Sequence, residues 1–172
     1  MSIIISGSNG LSRSGTAWTY PDSSGRLLNP NQPSFSTYGT SGNWAVPTTA
    51  SAVPYDAAPV WNQGGHYNNT TYRFTAPLSG VYFVSFSALI YPNSIPTGHY
   101  ITMFVSVNGS GYSTSLPMAR TSFKETQTTM GNGGLAKLTA GDNVAVYAGG
   151  TTTGLTLYLM AGHAQFSMYF LG

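Results

Sequence analysis

The side chains able to do acid–base or metal chemistry are few and scattered. Three histidines, His66, His99 and His163, share the chain with four acids, Asp22, Asp56, Glu125 and Asp142. General acid–base or metal catalysis needs such groups to converge. A Ser-His-Asp arrangement could be built from Asp56, His66 and one of many serines, but no Gly-x-Ser-x-Gly nucleophile elbow accompanies them. Calcium requires several carboxylates or a ligand-rich loop, and the acids form no cluster. With no cysteine in the chain, thiolate zinc sites, disulfides and cysteine nucleophiles are all excluded. The expectation is no enzyme, no metal and no cofactor.

Aromatic side chains remain as platforms on which a sugar ring could lie. Trp18, Tyr20, Trp44 and Trp61 are candidates of this kind, and Tyr91, Tyr100 and Tyr112 stand beside turn-rich stretches. Loops carried on a rigid scaffold are where binding residues concentrate. Each aromatic taken singly also has a plain role as core packing, and Trp61 is read as core.

Six basic against four acidic residues give a formal charge of +2, and charged residues make up only 6% of 172. Binding to a nucleic-acid backbone needs clustered Lys and Arg, so that class is excluded. No run approaches the roughly 18 apolar residues of a membrane-spanning helix. The start, Met1-Ser2-Ile3-Ile4-Ile5-Ser6, is too short an apolar run for an export signal. The surface expected is neutral and hydroxyl-rich.

Two regions must position whatever site exists. Residues 1–33 are punctuated by Gly, Pro, Ser and Asn, with apolar patches only at Ile3, Ile4, Ile5 and at Leu27, Leu28. They read as an extended arm that orders against another surface, those five residues making the contact. From residue 34 to 172, short Val-, Tyr-, Phe- and Thr-rich runs alternate with turn clusters, and no helical period occurs. About ten strands are predicted, over 34–38, 44–46, 72–75, 80–91, 100–107, 114–118, 133–138, 143–148, 155–161 and 164–171, which makes a sandwich or jelly roll. Asn108-Gly109 predicts a turn with two positive φ values, and Gly141-Asp142 a second tight turn whose carboxylate accepts backbone N–H groups.

Strand alternation separates Tyr82, Val84, Phe86 and Ala88 from Phe83, Ser85 and Ser87, and separates Phe166, Met168 and Phe170 from Gln165, Ser167, Tyr169 and Leu171. The second face in each case mixes aromatics with small hydroxyls, a composition suited to packing against another subunit.

The stretch Trp61-Asn62-Gln63-Gly64-Gly65-His66-Tyr67-Asn68, followed by Tyr72-Arg73-Phe74-Thr75-Ala76-Pro77-Leu78-Ser79-Gly80-Val81-Tyr82-Phe83, resembles the globular head of complement subcomponent 1q, a branch of the tumour-necrosis-factor-like jelly rolls. The likeness continues through Gly134-Leu135-Ala136-Lys137-Leu138-Thr139-Ala140-Gly141-Asp142 and the closing Phe166-Ser167-Met168-Tyr169-Phe170-Leu171, where Met168 replaces the usual glycine. The resemblance implies a homotrimer with Phe83, Ser85, Ser87, Gly133, Gly134, Gln165, Ser167, Tyr169 and Leu171 near its axis. His66, inside the motif, reads as structural. The short, cysteine-free, weakly charged chain with its arm also resembles bacteriophage particle proteins. That predicts a virion structural protein, decorating a capsid or forming part of a tail or fibre, made in the host cytoplasm and partnered by other virion proteins and a host-surface glycan. The alternative is an extracellular recognition module binding a glycan or protein through apical loops.

Overall fold

The structure, a computed structural model, describes residues 32–91, 95–111, 116–122 and 127–172, together with two short strands nearer the N-terminus. The chain divides into two units, Met1–Gln32 and Pro33–Gly172. In the first, β1 (Ile4–Ser6) and β2 (Gly10–Ser12) pair antiparallel. Ile4 and Ile5 thus belong to a short hairpin, while Ile3, Leu27 and Leu28 lie outside the described residues.

The second unit is all β. It runs through β3 (Ser34–Thr37), β4 (Asn43–Ala45), β5 (Ser51–Ala52), β6 (Trp61–Gln63), β7 (Tyr67–Asn68), β8 (Arg73–Thr75) and β9 (Gly80–Ile90), then β10 (Ile101–Val107), β11 (Met118–Thr121), β12 (Thr128–Leu138), β13 (Asn143–Gly150), β14 (Thr156–Tyr158) and β15 (Gln165–Phe170). No helix occurs among the described residues, so none is long and apolar enough to cross a membrane. The smaller sheet has the order β11-β10-β13-β8-β7, with β5 also on β13. The larger sheet is organised by β9, which pairs with β12 along one edge and with β15 and then β14 along the other. β3 and β6 continue outward from β15, and β4 from β14.

The sheets face each other across an aromatic core. Phe35 of the larger sheet stacks on Tyr67 of the smaller at 4.3 Å and meets Phe166 edge-on at 4.9 Å, and Phe74 meets Tyr82 at 5.8 Å. These pairs supply close packing beyond area burial. The alternation of β9 is complete: Tyr82, Val84, Phe86, Ala88 and Ile90 are buried, and the residues between them are half-exposed. Asn108 and Gly109 take the two positive φ values expected, 55° and 73°, and the Ser110 N–H closes the turn on the Val107 carbonyl at 3.0 Å.

Local chemistry moved some boundaries. β11 begins after Pro117, which has no N–H to give a ladder and instead accepts from Val105 at 3.0 Å. β12 starts at Thr128, five residues before the expected 133, because cross-strand pairing with β9 overrides the weak strand propensity of Gly131-Asn132-Gly133-Gly134. β14 is shorter than 155–161: the Leu159 N–H still bonds the Gly42 carbonyl in register with β4 at 3.0 Å, and the turn that follows closes on the Met160 carbonyl.

The chain enters and leaves this unit at one pole. Phe170 N–H bonds the Pro33 carbonyl at 2.9 Å, and Val81 N–H bonds Gly172 at 2.7 Å. β9 then carries the chain to the opposite, distal pole, where Gln127 N–H bonds the Ile90 carbonyl at 3.0 Å and Ile101 pairs with Gly150.

Candidate functional site

The outer face of the larger sheet has two halves, set by register. Near the entry pole, Leu135, Phe83, Tyr169 and Ser34 lie side by side across β12, β9, β15 and β3. The next row is Gly133, Ser85, Ser167, Ser36 and Trp61, Trp61 being supplied by β6. Leu135 is 58% exposed, Trp61 51%, Leu171 50% and Tyr169 43%, a group of large apolar side chains in solvent on one side of a sandwich whose core is closed. Phe83 lies against Tyr169 with ring centroids 5.2 Å apart, and the Ser85 and Ser167 hydroxyls share a 2.8 Å hydrogen bond. A Cβ on Gly133 would approach the Phe83 ring to 3.1 Å, so glycine lets that ring lie flat on β12.

Two readings of this face need correction. Gly134 was grouped with Gly133, but successive residues of a strand face opposite ways, and a Cβ on Gly134 would meet Pro117 at 3.1 Å on the inner side. Trp61, read as core, is half-exposed: its partner Ser36 is on the outer face and β6 is the edge strand. Leu135, not among the residues the sequence points to, joins this face: it follows Gly133 at strand period, and its neighbours Ala136 and Leu138 are buried on the inner side.

The distal half of the same face is more polar, with Leu89 as its apolar exception. Gly131, Ser87 and Gln165 form one row, and Thr129, Leu89 and Tyr158 the next. Around the distal pole, aromatics gather. Tyr91 meets Tyr158 edge-on at 5.6 Å and Tyr158 meets His163 at 5.2 Å. On the smaller sheet, the Arg120 guanidinium lies 4.6 Å over the Tyr100 ring and its Nε donates to Thr102 Oγ1 at 3.2 Å, while Tyr100 N–H donates to Thr151 Oγ1 at 3.0 Å. Tyr91 and Tyr100 therefore stand at one pole on different sheets. Tyr112 lies outside the described residues. Trp44 packs against the core instead of standing free.

The ionisable groups are used structurally. Asp142 accepts the Thr139 N–H and the Asn108 amide, both at 2.8 Å, and these bonds, the backbone one foremost, hold its carboxyl below the ordinary range. Asn108 completes the link by accepting Asn143 N–H at 2.9 Å, so two turns of the entry pole are tied together. Asp56 takes the Thr40 N–H and hydroxyl on its two oxygens, and the His66 ring lies edge-on to Phe74. Burial raises the phenols of Tyr55 and Tyr67 above their usual range. Their hydroxyls donate to carbonyls of Ser87 and Tyr55, at 2.9 and 2.6 Å. Among the described residues no three metal-ligating side chains come together.

Known proteins place this arrangement. The crystal structure of murine APRIL at pH 5.0 superposes with a TM-score of 0.61 at 15% sequence identity, covering 81% of this chain and 99% of that one. The globular domain of zebrafish complement 1qA protein gives 0.62 at 15% identity, covering 82% and 98%. Likeness at that identity speaks for the fold. No curated protein matches the sequence. The description "C1q domain" matches residues 35–171, from the first core aromatic of β3 to the exposed Leu171 just after β15. With motif, sheet order and core in agreement over that span, the chain belongs to the C1q domain family.

Proposed function

We propose that three copies of this chain assemble through the outer face of the larger sheet into a non-enzymatic head. The observation that carries this is the cluster of Leu135, Phe83, Tyr169 and Leu171 on one face, three of them 43–58% exposed, beside small hydroxyls and Gly133 that permit close approach. A contiguous apolar patch of this kind marks an interaction surface, and an obligate interface resembles a divided core. Sedimentation of the untagged protein tests it: a species near three times 18.2 kDa is expected, and a monomer at micromolar concentration overturns it.

The trimer serves as a structural protein of a bacteriophage particle, on the capsid or in a tail or fibre, with residues 1–33 docking it to neighbouring virion proteins. Supporting this reading are the scarcity of charge, the lack of cysteine and the Gly/Pro/Ser-rich segment with its isolated isoleucines. Removing residues 1–33 should leave a folded trimer absent from purified particles; full incorporation of the truncated chain would defeat the docking role. The placement of Tyr91 and Tyr100 at the distal pole, Tyr91 against Tyr158 and Tyr100 under Arg120, favours a second reading, an extracellular recognition module presenting these tyrosines to a glycan or protein ligand. Under it, the head alone binds its target and Tyr91→Ala or Tyr100→Ala weakens that binding.

A further inference from the structure

The polar half of the outer face is indented. A groove of about 280 Å³ runs between Ser36 and Tyr38 on one side and Ser87 and Thr129 on the other, with His163 and Gln165 at its rim. Its floor is built from buried residues: Ser36 is 3% exposed and Ala164 5%. The rim is shaped by a tight turn in which Gly162 has φ +83° and the N–H groups of His163 and Ala164 both reach the Met160 carbonyl, at 3.0 and 3.2 Å. The Tyr158 ring braces the imidazole of His163 from outside.

The lining chooses a chemistry. None of its residues carries a carboxylate, an ammonium or a guanidinium, so an ion gains nothing there. What it offers is mainly neutral donors and acceptors: the four aliphatic hydroxyls of Ser36, Thr37, Ser87 and Thr129, a phenol, a carboxamide and an imidazole, with Val60 as an apolar neighbour. Gln165 Nε2 donates to Ser36 Oγ at 2.9 Å, which fixes the amide with its second N–H and its carbonyl oxygen outward. The Ser87 and Thr129 hydroxyls make no side-chain hydrogen bond among the described residues. Tyr38 adds an aromatic wall. The volume is at the small end of ligand pockets.

We infer that this groove binds a single neutral pyranose ring, its hydroxyls met by Gln165, Ser87 and Thr129 and its apolar side by Tyr38. Ser87 and Gln165 then belong to the groove wall and not to the dry subunit contact, which is left to the apolar half. The site differs from the Tyr91 and Tyr100 platform, and it rests on the proposed trimer contact being confined to the apolar half of the face, which leaves the groove open.

The test is saturation-transfer NMR on the full chain with free glucose, galactose and N-acetylglucosamine, and with glucuronate as the charged comparison. At least one neutral sugar should take up saturation with Kd on the order of millimolar. Gln165→Ala and Thr129→Val should each weaken it about tenfold, the loss of one good hydrogen bond. Sedimentation of the same variants should be unchanged, which separates this outcome from failure of the trimer. The inference is overturned if no neutral sugar is saturated, if glucuronate binds as well as the neutral sugars, or if the signal survives both substitutions.

Discussion

Replacing Phe83 by Asp perturbs the subunit contact without touching the core. The ring is half-exposed and its neighbours are Tyr169 and Gly133, so a folded monomer can hydrate a carboxylate at this position. In the assembled trimer the carboxylate would be dry and unpaired, and symmetry would bring three of them together. An uncompensated buried charge costs about 3 kcal/mol or more per chain. Three chains lose about 9 kcal/mol, roughly a factor of 10⁶ in the trimer association constant. A trimer complete at micromolar concentration should therefore sediment as a monomer. Circular dichroism should report an intact β-sheet spectrum, and Phe83→Leu, which keeps the apolar contact, should remain trimeric. If Phe83→Asp sediments with the mass of the parent, this face is not the interface and the assignment of Phe83, Ser85, Ser167, Tyr169 and Leu171 fails with it.

Other consequences can be checked on the same protein. Tyr67→Phe removes the donor to the Tyr55 carbonyl and should lower unfolding free energy in urea by about 1–3 kcal/mol. Because the folded phenols of Tyr55 and Tyr67 titrate above the unfolded value of 10.0, their contribution is complete below that pH and is lost as pH rises past it; alkaline unfolding should coincide with the rise of phenolate absorbance. Asp142 behaves oppositely, its lowered value stabilising the fold above the ordinary carboxylate range and losing that effect on acidification, so Asp142→Ala should flatten the acid limb and speed hydrogen exchange at Thr139. A Cβ on Gly131 would lie 2.5 Å from the Phe86 carbonyl oxygen, so Gly131→Ala should cost about 1–3 kcal/mol by pushing β12 off β9. Gly111→Ala, in open space, should stay within about 0.5 kcal/mol of the parent.

Long alternating strands were legible from the residues alone. β9 and β15 show their two faces because the inward positions are apolar and, Ala88 apart, large, and the family motif lies on the same stretch. Strands of two or three residues, β5, β6 and β7, carry no period to read and exist through pairing with distant partners. β12 was half hidden, since glycines have no side chain to alternate, and that is why Gly133 and Gly134 were assigned to one face. The outer edge of the apolar patch was missed for a related reason: Trp61 looks like core until its strand is known to be terminal. The groove could not be read at all. Ser36, Ser87, Thr129 and Gln165 are spread over more than a hundred positions and become neighbours only through the registers of β3, β9, β12 and β15.

The entry and exit of the chain at a single pole also govern how the head addresses its surroundings. Pro33 and Gly172 stand at one pole of the unit, so in the proposed threefold assembly all three opposite poles look the same way. A target with repeated epitopes would then engage several copies at once, and a millimolar contact gains about 10²–10⁴ in avidity from that parallel presentation. A bulky tag fused after Gly172 would sit at the pole of Val81 and spare the opposite, outward-looking end.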